Sequence, residues 1–145
     1  MIVKSEQKDK MCSFYVSDFH LEMILVPFLN KKIDNNEDIK IVTEKDLKDS
    51  VEILISKMNL NEDKKQKILN LEWNRTENLE FKNNSNIIII GREQYINETN
   101  NKIKQLNIRE ANIVDCYDFE EIKDKMENIT ENYEKNLNTL GNDIF

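Results

Sequence analysis

Glycine is nearly absent from this 145-residue chain, which holds Gly91 and Gly141 and no other. A Walker A loop or a Gly-x-Gly-x-x-Gly turn needs several glycines where backbone approaches phosphate. P-loop NTP hydrolysis and Rossmann-type dinucleotide binding are therefore excluded. Histidine occurs once, at His20, which excludes a multi-histidine metal centre. Cys12 and Cys116, the two cysteines, are both flanked by apolar residues and read as small buried hydrophobes rather than a disulfide or metal pair. No apolar run approaches the roughly 20 residues that span a bilayer, and residues 1–10 lack the apolar stretch of a signal peptide. Positive charge is also in deficit: 21 Lys and Arg face 28 Asp and Glu, for a formal charge of -7. That balance disfavours a phosphate-backbone partner, whose affinity rests on Lys and Arg releasing counterions. The expectation is a cytoplasmic protein with no membrane partner, no nucleic acid, no metal and no cofactor.

What is present is a series of short apolar runs in a chain that is 39% hydrophobic and 34% charged. The most informative run is Ile87, Ile88, Ile89 and Ile90, closed by Gly91 and followed by the helix-like Arg92-Glu93-Gln94-Tyr95. A strand apolar on both alternating faces must be covered on both, so a central and largely parallel sheet follows. Further strands are expected at 11–16, 38–42 and 112–117, each with a helix behind it. Ser17 or Asp18 would cap the first helix, Thr43 the second and Asp118 the last. The first helix is apolar nearly all round, and Pro27 predicts a kink or an early end. The last is expected to be the longest, with its stripe at Phe119, Ile122, Met126, Ile129, Tyr133 and Leu137. Asn70-Leu71-Glu72-Trp73, echoed by Asn78-Leu79-Glu80-Phe81, predicts an extra hairpin or edge strand across 69–81.

The fold class is thus α/β: three layers, a mostly parallel central sheet of four to five strands, and helices on both faces. One domain over 11–137 is expected, after a disordered N-terminus at 1–10 and before a C-terminal tail at 138–145 whose Leu140, Ile144 and Phe145 either dock on the domain or await a partner.

Ligands of open α/β sheets bind beyond the carboxyl ends of the strands, near a switch in strand order. The candidate ligand-binding residues are accordingly Asp18, His20, Glu44, Arg92 and Asp118; no catalytic residue is assigned. The competing reading makes Asp18, Thr43 and Asp118 ordinary caps and Glu44–Arg92 a solvated ion pair. Asp115 stands out as a carboxylate in an apolar strand. An edge position or an outward face would explain it, whereas burial beside Arg92 would mark a working site.

Cys12-Ser13-Phe14-Tyr15, Val26-Pro27-Phe28-Leu29, Asn35-Asn36-Glu37 and Thr43-Glu44 together resemble the opening of the MEDS (DcmR-type) sensory domain. The resemblance covers less than half of the chain, and Lys10-Met11 stands where that family carries a histidine. It implies a RecA/KaiC-like core without a phosphate loop and a role in sensing small molecules. The expected function is a non-catalytic module that senses a small polar ligand or binds a protein partner. The alternative is a small hydrolase- or transferase-like enzyme using Asp18 or Asp118 with His20 as helper. A homodimer through the apolar tail is a third reading.

Overall fold

The computed structural model describes residues 8–75, 80–106, 108 and 110–144. Residues 1–7, 76–79 and Phe145, on which parts of the expected N-terminus, hairpin and tail fall, lie outside the described residues. The chain builds β1 (Lys8–Tyr15), α1 (Asp18–Asp34), β2 (Asp38–Thr43), α2 (Lys48–Lys57), α3 (Glu62–Leu69), β3 (Ser85–Gly91), α4 (Glu93–Gln105) and β4 (Ala111–Asp118). It continues with α5 (Phe119–Ile122), a 3-10 turn (Lys123–Lys125), α6 (Met126–Thr130), β5 (Lys135–Asn138) and β6 (Gly141–Ile144).

These strands form one six-stranded sheet in the order β2-β3-β4-β1-β5-β6, parallel except for β6. The isoleucine run is its interior strand. Ile88 and Ile90 enter one core with α1, α2 and α3, while Ile87 and Ile89 enter the other with Ile96, Ile103, Ile122 and Ile129. All seven residues of β3 are buried, as a strand covered on both sides requires. Cys12 and Cys116 are free, buried and on opposite faces, so no disulfide can join them.

Several local expectations are corrected. Strand β1 begins at Lys8, inside the segment expected to be disordered. Helix α1 runs through Pro27 to Asp34, because position 27 lies on the exposed face, where water replaces the lost backbone donor, while Leu21, Ile24, Leu25, Val26 and Leu29 anchor the other side. Ser17 caps this helix, accepting from the His20 N–H at 3.0 Å. Thr43 caps nothing: β2 runs through it, and its hydroxyl closes a turn with Lys45. Of the hairpin expected at 69–81, the described residues hold the end of α3 and coil, with Trp73 buried and its indole donating to the Ile68 carbonyl at 2.8 Å.

The expected long C-terminal helix is absent. Ile122 and Ile129 pack on one face of the sheet, whereas Leu137 enters the core on the other. No single helix can place its stripe on both faces. The chain instead ends its helical part at Thr130 and adds β5 parallel to β1, and the expected tail becomes β6, turned back at Gly141 with φ of 115°.

Candidate functional site

Chain order and strand order disagree around β1: the connection from β1 crosses to the far edge at β2, and that from β4 crosses to β5 on the other side. The carboxyl ends of β1 and β4 therefore flank the switch point. Tyr15, last residue of β1 and paired with Asp118, is buried there. Burial raises its phenol's pKa, and so do the nearby charges of Asp118, Asp18 and Glu121.

The five expected residues all lie along this rim, in pairs rather than around a common centre. Asp18 binds Lys45, whose ammonium also sits 4.9 Å from the centroid of the Tyr15 ring. Glu44 takes the Arg92 guanidinium at both oxygens, with Nη2 at 2.6 Å and Nε at 3.1 and 3.2 Å, and accepts the Arg92 backbone N–H at 3.0 Å. That contact lowers the Glu44 pKa. His20 accepts the Val16 N–H at Nδ1 over 3.0 Å, which fixes its neutral tautomer with the proton on Nε2. Asp118 caps α5 by accepting from the Glu120 N–H at 3.0 Å. Glu93 extends the series, bonded by Lys125 at 3.1 Å and donating its N–H to Glu121 at 2.8 Å.

Gly91 permits this arrangement by close approach rather than by backbone freedom. A Cβ there would lie 3.0 Å from both Cβ and Oε1 of Glu44 and 2.8 Å from Cδ2 of Tyr95. Only glycine lets Glu44 reach across the end of β3 to Arg92.

Two features escape the sequence reading, and a third stands out in it but lies in none of the settings expected. Val16 and Phe19 are 63% and 61% exposed, and Met23, one turn beyond Phe19 on α1, is 39% exposed. They project beside the charged rim. A helix apolar nearly all round reads as core, and only the i, i+4 spacing of Phe19 and Met23 opposite Leu21 and Leu25 signals a second face. The second feature is Glu22, buried between α1 and α2 with the Ser50 hydroxyl as hydrogen-bond donor; burial raises its carboxyl pKa. The third is Asp115. It lies neither at an edge nor beside Arg92, but fully buried in β4, with Tyr133 Oη at 2.5 Å, Asn100 Nδ2 at 3.0 Å and Lys10 Nζ at 3.9 Å. Burial raises its pKa against the opposing effects of these three partners.

A cavity of about 370 Å³ opens at the opposite end of the sheet, where Ile39, Lys40, Glu72, Phe81, Lys82 and Ser85 line the start of β2 and β3. Among the described residues no group of three or more His, Cys, Asp or Glu side chains is placed to hold a metal ion. No helix among them is long and apolar enough to cross a membrane. Compared with known proteins, the chain matches no family model, no curated protein and no solved structure.

Proposed function

We propose that this is a non-catalytic, cytoplasmic interaction module that binds a protein partner through the strand-end rim. The observation that carries this reading is the exposed Val16, Phe19 and Met23 beside charged groups already satisfied by one another. A large apolar side chain held out in water next to a polar border is the arrangement of an interface anchor. Asp18, Asp118 and Glu121 gather around Tyr15, and the chain carries a net charge of -7. The partner surface that fits is an apolar pocket with a cationic border, and two copies of this acidic rim would repel each other.

The enzyme alternative has less support, since Asp18 is engaged by Lys45, Asp118 caps a helix and the His20 Nδ1 is occupied. A ligand-sensing role draws on the cavity at the other end of the sheet, where Lys82 lies beside the Lys40–Glu72 ion pair, closed at 3.0 Å. In the decisive experiment, partners captured from the cell of origin are quantified on the wild type and on a folded Phe19→Ser/Met23→Ser variant. A partner lost selectively from the variant supports the rim; partners held equally by both refute it.

A further inference from the structure

We propose, building on the ligand-sensing reading, that the cavity at the start of β2 and β3 takes the zwitterion of an α-amino acid with an apolar side chain, laid against the outer edge of β2 at Ile39. Strand β2 ends the sheet, and beyond its last residue the Glu44 N–H donates to the Ile90 carbonyl at 2.8 Å. Backbone groups alternate in direction along a strand. Lys40 and Val42 therefore turn theirs to β3, as Glu44 does, and Ile39 turns its N–H and C=O away from the sheet. Asp38, Ile39 and Lys40 all line the cavity. Side chains of three successive strand residues cannot share one face, so the space common to them runs along the strand's outer edge. An amino acid there meets Ile39 as a hydrogen-bonded pair of an antiparallel ladder does: its ammonium donates to the Ile39 carbonyl and its carboxylate accepts the Ile39 N–H.

The side chains around that edge match the two charges of such a ligand. Lys40 and Glu72 answer each other at 3.0 Å and form a neutral wall. The exposed Asp38 and Glu80 offer carboxylates to an ammonium, and the exposed Lys82 offers an ammonium to a carboxylate. The half-buried Ile39 and Phe81 supply apolar surface for the ligand's side chain. The volume of about 370 Å³ is that of a small-molecule site. Both walls are held by the protein's own bonds. Asn86, fully buried, donates from Nδ2 to the Asp38 carbonyl at 3.1 Å and to Glu37 Oε1 at 3.2 Å, which fixes the start of β2. On the other side the Ser85 hydroxyl donates to the Lys82 carbonyl at 2.6 Å, and Asn84, at φ of 61°, makes the left-handed turn that lets the two meet. A site preorganised in this way loses little ordering entropy when a ligand binds.

L-Leucine is titrated into the full chain by calorimetry, beside L-leucinamide, which lacks the carboxylate, and N-acetyl-L-leucine, which lacks the ammonium. L-Leucine is expected to bind with a dissociation constant on the order of 1 mM, and each blocked form at least about tenfold more weakly, as the loss of a charge-assisted hydrogen bond requires. Lys82→Gln and Asp38→Asn, both at exposed positions, are each expected to weaken L-leucine about two- to fivefold while the circular dichroism spectrum stays unchanged. No saturable binding of L-leucine, equal affinity for a blocked form, or an affinity that ignores both substitutions overturns the proposal. Putrescine and succinate, titrated in the same way, separate it from the reading beneath it. If either binds and is weakened by those substitutions while L-leucine does not bind, the zwitterion is overturned and the cavity still takes ligands; if none of the probes binds, both fall.

Discussion

Replacing Gly91 with alanine tests whether close approach, rather than chance, explains the glycine that ends the isoleucine strand. The added methyl would sit 2.8 Å from Tyr95 Cδ2 and 3.0 Å from Glu44 Cβ and Oε1, all inside normal contact. Forced overpacking of this kind costs about 1–3 kcal/mol. Against it stands a gain of about 0.4–1 kcal/mol, because alanine restricts the unfolded chain and Gly91, unlike Gly141, has no positive φ. The net expectation is a loss of about 1–2 kcal/mol. Urea unfolding followed by tryptophan fluorescence reads this as a midpoint lowered by about 0.5–1 M, given a slope of about 2 kcal/mol per M for a domain of this size. Measured against Tyr95→Ala alone, the loss should shrink when Tyr95→Ala accompanies the change, since no δ carbon then meets the added methyl. An alanine variant as stable as the wild type, or one whose loss ignores Tyr95, would refute the reasoning.

Trp73→Ala should lower stability by about 3–5 kcal/mol in the same titration with circular dichroism as the probe, because the indole is buried and bonded to Ile68. Glu22→Gln should gain stability relative to the wild type as pH rises. Burial lifts the native pKa of Glu22 above its unfolded value of about 4.3, so the native state binds the extra proton and the wild type loses stability as pH climbs from there through the raised pKa. Urea midpoints at low and neutral pH check the sign, and Glu44, whose pKa is lowered, is common to both proteins. Phe19→Ser should leave stability within about 0.5 kcal/mol, because the ring is already in water; a larger loss would place it in the core instead.

The rim illustrates how far one-dimensional reading reaches. Strand ends were legible because apolar runs stop at turn and capping residues, so Asp18, His20, Glu44, Arg92 and Asp118 could be assigned to one edge of a parallel sheet. Their pairing was not legible, since Lys45 and Glu44 are neighbours in sequence yet reach different strand ends, at Asp18 and Arg92. Asp115 marks the same boundary. Its oddity showed in the strand pattern, but its donors come from residues 100 and 133 and its countercharge from residue 10, which only folding brings together.

Taken alone, the sequence determined the α/β class, the doubly covered isoleucine strand and the exclusion of glycine-dependent phosphate chemistry, because these follow from composition and local periodicity. Tertiary structure alone decided what became of the C-terminal quarter. A stripe at Phe119, Ile122, Met126, Ile129, Tyr133 and Leu137 suits one helix as far as spacing can tell. Yet the sheet has two faces to cover and an outer edge of β1 to pair, and those demands split the stripe: Ile122 and Ile129 went to one core, Tyr133 to a buried carboxylate, and Leu137 through β5 to the other.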